Sequence, residues 1–336
     1  MGSQPLVRAW RMAAGHLTVA FTVGAILGPA AAAIAQPTAA ITEQLVDVGF
    51  GSSMGPSMDI YLPLLAAAET GDLTVVKDVS YGDHPRHKLD LYQPNGVSGA
   101  PVFVYVHGGG YRNGDRDLNA HVYGNVTTYF ARHGMLAINA TYRLAPEASW
   151  PSGAEDIRGV VAWIKRHAEQ YGGDPDRIFL MGHSAGATHV ATYAFDPRFQ
   201  PPEGHGLAGI IGISGRYRLR SDPDDPSLDG IRQYFGNDPA LYESRSVVTH
   251  VPNSQIPVML VIAEYDQRNL VETTGEFFIA LCRRDGGRCP RLLQLKHHNH
   301  LSEVLHINTA DELLGREVLE FVHEGADSQR KRAGAR

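Results

Sequence analysis

Short unbroken apolar runs alternate along this chain with stretches in which apolar residues recur at helical spacing. Val102-Phe103-Val104-Tyr105-Val106 and Val258-Met259-Leu260-Val261-Ile262 are unbroken, as expected of strands in a parallel sheet covered on both faces. Eight strands are predicted: Leu73–Val79, His87–Tyr92, Pro101–His107, Leu136–Tyr142, Ile178–Met181, Leu207–Ser214, Pro257–Ala263 and Arg291–Leu295. In Ala154–Tyr171 the residues Ile157, Val160, Val161, Trp163 and Ile164 fall on one helical face. Further helices are expected after Ser184, over Val271–Arg283 and over Thr309–His323. Strands alternating with helices predict an α/β fold, a mostly parallel, doubly wound sheet led by an antiparallel hairpin at Leu73–Tyr92. Two pieces fall outside the alternation. These are the N-terminal segment 36–71 and an insertion at 216–251 rich in Pro, Asp, Arg and Tyr, which together suit a cap or lid.

The ends read differently from the middle. Arg8 and Arg11 precede the apolar Leu17–Leu27 stretch, and Ala33-Ile34-Ala35 supplies a small-residue cleavage site, so residues 1–35 are expected to be an export signal. Gly15, His16, Gly24, Gly28 and Pro29 interrupt the apolar run, which argues against a stable membrane anchor. The predicted organisation is therefore a signal at 1–35, a cap segment at 36–71, one α/β domain at 72–324 and a polar disordered tail at 325–336. At 43% hydrophobic and 20% charged the chain holds enough apolar material for a large core. Its net charge of −6 gives no reason to expect nucleic acid as a partner. The two cysteines, Cys282 and Cys289, flank a short Gly-containing loop, and in an exported protein that predicts a disulfide.

Candidate chemistry begins at Gly182-His183-Ser184-Ala185-Gly186, between an apolar strand and a helix-compatible stretch. Glycines on either side of such a serine let the backbone turn sharply and project its hydroxyl from the helix N-terminus. The bare pattern is weak, and an inert serine in a tight turn is the bland alternative; its place between strand and helix gives it weight. His107-Gly108-Gly109-Gly110-Tyr111 follows a buried strand. Attack of a serine on an acyl carbon generates an oxyanion that needs backbone N–H donors already in place. The amides of Gly109, Gly110 and Ala185 are the candidates. Asp266 ends the run Val261–Tyr265 and is the candidate acid, with Glu264 as competitor nearer the strand body. For the base, spacing alone does not separate His297, His298 and His300. The His-x-x-His string also admits a metal, but no flanking ligand set completes it, so neither metal nor cofactor is expected. Tyr111, His183, Tyr217 and Tyr234 are candidates for lining a substrate pocket, although lid packing explains any single tyrosine equally well.

With these residues in hand, the chain resembles the hormone-sensitive-lipase-like carboxylesterases of the α/β-hydrolase superfamily, including bacterial esterases and kynurenine-formamidase-like members. The resemblance runs from about Val75 to Val322. It rests on His107–Gly110, on Tyr142-Arg143-Leu144-Ala145-Pro146-Glu147, and on Gly172-Gly173-Asp174-Pro175-Asp176-Arg177 leading into Gly182–Gly186. It implies Ser184 as nucleophile, Asp266 as acid, His300 (in His300-Leu301-Ser302-Glu303) as base, and structural roles for Arg143 and Asp156. The chain departs from many such relatives in having Gln267-Arg268-Asn269 after the acid. The expected activity is cofactor-free hydrolysis of a small-molecule ester. An arylformamidase or amidase, or a binding protein on the same fold, is the alternative. A peptidase is the weaker expectation because no propeller-sized domain precedes the motifs.

Overall fold

The computed structural model describes residues 38–50 and 54–333; the expected signal at 1–35 lies outside them. Eight strands form one sheet: β1 Leu73–Ser80, β2 Lys88–Pro94, β3 Ala100–Val106, β4 Leu136–Ala140, β5 Gly173–His183, β6 Gly209–Ile213, β7 Val258–Tyr265 and β8 Arg291–Asn299. Their order is β1-β2-β4-β3-β5-β6-β7-β8. β1 and β2 pair antiparallel, β2 meets β4 antiparallel, and every later pairing is parallel. The expected doubly wound sheet with an antiparallel lead is therefore present.

The helices are α1 Ala39–Val48, α2 Met54–Ala66, α3 Gly124–Arg132, α4 Ser152–His167, α5 Ala185–Phe195, α6 Leu228–Phe235, α7 Tyr242–Arg245, α8 Val247–His250, α9 Arg268–Arg284, α10 Ser302–Leu305 and α11 Leu313–Ala333. Side chains alternate across each strand, so the sheet feeds two cores. Val102, Val104 and Val106 pack with Ile157 and Val160 of α4, Val190 of α5 and Phe277 of α9. Phe103 and Tyr105 pack on the other face with Val126 and Phe130 of α3 and Val318 of α11. No helix among the described residues is long and apolar enough to cross a membrane.

Two boundaries differ from expectation. α4 stops at His167 and Ala168–Tyr171 tightens into a 3₁₀ turn ending on Gly172 at φ 79°. α11 continues to Ala333, past Glu324 where a disordered tail was expected to begin. Within segment 36–71 the described residues form α1 and α2, and Ser57 of α2 hydrogen-bonds Asn299 at the end of β8. It thus braces the segment that carries His300. Cys282 and Cys289 are joined by a disulfide.

Candidate active site

The serine turn is built by exclusion. A Cβ on Gly182 would lie 2.6 Å from the Ala187 backbone, and one on Gly186 would lie 2.3 Å from the Val106 carbonyl oxygen. Only hydrogen fits at either position, so β5, the turn and α5 pack closely enough to force Ser184 to φ 55° and ψ −119°. A non-glycine residue there is strained, and the parallel strands on both sides of β5 over-determine it. The Ser184 amide donates to the Ile213 carbonyl at 2.8 Å, while its side chain points out of the turn and stays half-buried.

The structure brings Ser184, His300 and Asp266 together. Ser184 Oγ lies 3.0 Å from His300 Nε2, and His300 Nδ1 lies 2.9 Å from Asp266 Oδ1. The order serine, acid, histidine follows the C-terminal ends of β5, β7 and β8. His297 and His298 go elsewhere. His297 is half-exposed against Glu264, and His298 is buried against Ser302 and Asp311. Burial opposes the charge of Asp266, but donors from His300, Ser214 and the Gln267 amide outweigh it and hold this carboxyl below its usual range.

Beside the serine, Gly108 packs so closely that a Cβ would sit 3.0 Å from Ser184 Cβ. Gly109 and Gly110 have φ values of 128° and 59°, conformations that favour glycine. The Gly109 carbonyl is tied by the amides of Arg112 and Asn113 at 3.2 and 3.0 Å. No acceptor among the described residues takes the amides of Gly109, Gly110 or Ala185. His107 fixes the loop from beneath. It donates from Nδ1 to the Gly108 carbonyl at 2.7 Å and stacks on Tyr142, whose hydroxyl donates to the His107 carbonyl. Burial lowers the His107 pKa to about 4, so the ring is neutral.

The four pocket-lining candidates are not surface groups. Tyr111, His183, Tyr217 and Tyr234 are all at most 3% exposed. Tyr111 and Tyr234 stack at 5.1 Å in an aromatic cluster with Phe235, and the Tyr234 hydroxyl accepts the Gly153 amide. Tyr217 stacks on Phe277 in the α9 core. His183 donates from Nε2 to the His300 carbonyl at 2.9 Å, and burial lowers its pKa to about 3. All four rings pack behind the site; the Tyr111 and Tyr234 hydroxyls are hydrogen-bonded, to Thr188 and the Gly153 amide, as packed aromatic rings with polar tips prefer, whereas the Tyr217 hydroxyl has no partner among the described residues. Sequence periodicity had no means to separate that from pocket lining.

The insertion at 216–251 contributes through α6. A Cβ on Gly230 would lie 2.5 Å from the Gly110 carbonyl oxygen, so α6 rests directly on the amide loop. A buried ion pair, Arg216 with Asp225 at 2.7 Å, pins the start of this insertion.

Two residues that sequence reading passed over complete the acid side. Ser214, at φ 46°, hydrogen-bonds Asp266 Oδ2 and lies 2.9 Å from Glu303 Oε2. Glu303 is fully buried, its Oε1 3.2 Å from His183 Nε2 and 3.5 Å from His300 Nδ1. Burial and then the Asp266 charge push its carboxyl well above the carboxylate range. A hydroxyl has one proton, and Ser214 gives it to Asp266. The second contact is therefore satisfied by a neutral Glu303 donating to the Ser214 oxygen. The only sequence signal was a Glu three residues after His300.

This fold and this serine–histidine–aspartate arrangement define an α/β-hydrolase. A family model described as the prolyl oligopeptidase family matches residues 147–327, more than half of the chain, and the chain belongs to that family. A model described as BD-FAE matches residues 89–196. Among curated proteins the chain is similar to a probable carboxylic ester hydrolase, LipM, of Mycobacterium tuberculosis. They are 32% identical over 60% of this chain and 45% of LipM. Esterase LipC of the same organism is 27% identical over 59% of this chain and 53% of LipC. The chain thus spans about half the length of these relatives. Among solved structures, esterase B from Lactobacillus rhamnosis covers 88% of this chain and 99% of its own at a TM-score of 0.68 and 19% identity. A hyperthermophilic esterase from Pyrobaculum calidifontis covers 85% and 95%, with a TM-score of 0.62 and 21% identity.

Proposed function

We propose that this protein is a serine carboxylesterase that hydrolyses short-chain or aryl esters through an acyl-enzyme. The observation that carries the reading is the unbroken relay from half-buried Ser184 through His300 to Asp266, at 3.0 and 2.9 Å, beside three amides with no acceptor among the described residues. His300 removes the Ser184 proton as Oγ attacks the ester carbonyl, and Asp266 stabilises the imidazolium. The amides of Gly109, Gly110 and Ala185 receive the oxyanion. The imidazolium then protonates the departing alkoxide, and water releases the acid by the same steps reversed. No cofactor is required for this chemistry. The names of the curated relatives support an ester as substrate. The filled aromatic cluster behind Gly110 supports a short acyl group. The leader motif, together with the Cys282–Cys289 disulfide, supports an exported protein.

The test is turnover of p-nitrophenyl esters from acetate to decanoate by the protein and by Ser184→Ala. Turnover of short chains that vanishes in the variant is expected. The match to the prolyl oligopeptidase family favours a second reading, amide hydrolysis. A prolyl p-nitroanilide and an N-formyl aryl amine, run alongside, decide it. Turnover of either amide without ester turnover would replace the ester reading, and inertness on all of them would leave ligand binding. Undiminished activity in Ser184→Ala would displace the nucleophile.

A further inference from the structure

The segment that carries His300 holds a second group of buried polar side chains that the triad does not use. His298, His306 and Asp311 are 1%, 0% and 6% exposed. One ligand-type atom from each lies within 4.8 Å of the other two. His298 Nε2 is 3.1 Å from Asp311 Oδ2, and the two imidazole centroids are 4.4 Å apart. His306 donates from Nδ1 to the Ser302 carbonyl at 2.8 Å, which leaves Nε2 with a bare lone pair. That atom is buried and has no hydrogen-bond partner among the described residues. A purely structural hydrogen-bond network has no use for an unpaired acceptor beside a carboxylate and a second imidazole. An unsatisfied buried polar atom destabilises the fold unless something pairs with it.

We propose that His298, His306 and Asp311 bind one divalent transition-metal ion of the zinc type, through two imidazole nitrogens and one carboxylate oxygen. Two ligands at about 2.0–2.1 Å from a tetrahedral ion sit roughly 3.3 Å apart, close to the separation of His298 Nε2 and Asp311 Oδ2. Two nitrogens and one oxygen suit zinc better than calcium or magnesium, which prefer all-oxygen shells. Ser302 serves both histidines from behind. Its carbonyl already holds His306 Nδ1–H. Its hydroxyl oxygen, 3.0 Å from His298 Nδ1, accepts that ring's proton when Nε2 turns to the ion, while its own proton faces the Asn299 carbonyl at 3.3 Å. The His298 proton thus moves from one ring nitrogen to the other. An acceptor behind each metal-bound imidazole is the usual support of such sites. Asp311 also borders a cavity of about 470 Å³ together with Tyr61, whose buried hydroxyl has no partner among the described residues. A water from this cavity fills the fourth position. The ion clamps the connection from β8 to α11, and so the backbone that presents His300. The His297-x-x-His300 string is not the site, since its first histidine is half-exposed and its last belongs to the triad.

The full chain, stripped with a strong chelator and freed of any tag, is titrated with Zn²⁺ alone and with Co²⁺ alone. One equivalent of zinc, a visible Co²⁺ band of four-coordinate intensity, and a zinc-dependent rise in Tm are expected. His306→Asn and Asp311→Asn weaken the ion by more than the roughly 10–100-fold that loss of an outer-shell partner costs, whereas His300→Ala keeps the full equivalent. Failure of the unaltered protein to take up zinc at micromolar concentration overturns the proposal, and that measurement needs no variant to fold. Full retention by both ligand variants, or loss in His300→Ala, overturns it as well by moving the ion elsewhere.

Discussion

Glu303 offers the sharpest test of the electrostatics around the base. Its carboxyl lies 3.5 Å from His300 Nδ1 and shares Ser214 with Asp266. Two carboxylates hung on one hydroxyl are about 5 Å apart, and at an effective dielectric near 20 their repulsion is about 3.3 kcal/mol. Burial adds to this, so Glu303 is held as the neutral acid and Asp266 alone carries charge. Glu303→Gln then removes no charge and still offers an N–H to the Ser214 oxygen. The expected kcat/KM on p-nitrophenyl butyrate at neutral pH is within about fivefold of the unaltered protein, since a neutral hydrogen bond exchanged for another changes about 0.5–1 kcal/mol. An ionised Glu303 would instead interact with the His300 imidazolium by about 4.7 kcal/mol at 3.5 Å. Its loss would lower kcat/KM by about three orders of magnitude. The assay is steady-state hydrolysis, with circular dichroism and Tm confirming the fold. Glu303→Ala, which leaves Ser214 without its donor and opens a void, serves as the damaging control. A fall of a hundredfold or more in Glu303→Gln, with the fold intact, would refute a neutral Glu303.

Gly230→Ala places a methyl 2.5 Å from the Gly110 carbonyl oxygen while favouring the α6 helix. Its kcat is expected to fall roughly 10–100-fold with little loss of Tm, as a displaced oxyanion donor requires; an unchanged kcat would show that the loop yields freely. Asp225→Ala strands the buried Arg216 guanidinium and is expected to cost about 3–5 kcal/mol, read as a lower urea midpoint that Arg216→Met in the same chain partly restores. The buried rings of His107, His183 and His189 have pKa values lowered to about 4, 3 and 3. Below about pH 6.5 the unfolded chain takes up protons that the folded chain refuses, so stability falls with falling pH by about 1.4 kcal/mol per unit for each ring. Urea midpoints at pH 7 and pH 5 measure this, and equal midpoints would contradict the burial of these rings. Replacing Cys282 and Cys289 with serine opens a loop of separation 7 and should cost about 2.5 kcal/mol of stability by loop entropy, measured by the same titration.

The sequence by itself determined the succession of elements along the chain: continuous apolar runs for strands covered on both faces, a helical stripe in α4, and two glycine turns placed after buried strands. Those are local properties, set by side-chain period and by the backbone freedom of glycine. Ser184 and the amide loop were legible for that reason. Choosing His300 needed more than spacing, because three histidines within four positions share one local pattern. The direction each ring takes depends on the twist at the end of β8, where His297 sits at φ 63°. Tertiary structure alone decided that Tyr111, Tyr217 and Tyr234 are packing groups, since an aromatic ring reads the same in sequence whether its neighbour is solvent or another ring. It alone placed Glu303 beside Asp266 and Ser214, residues 37 and 89 positions away along the chain. Long-range electrostatics, and with it the protonation of a buried acid, depends on distances that only the folded sheet fixes.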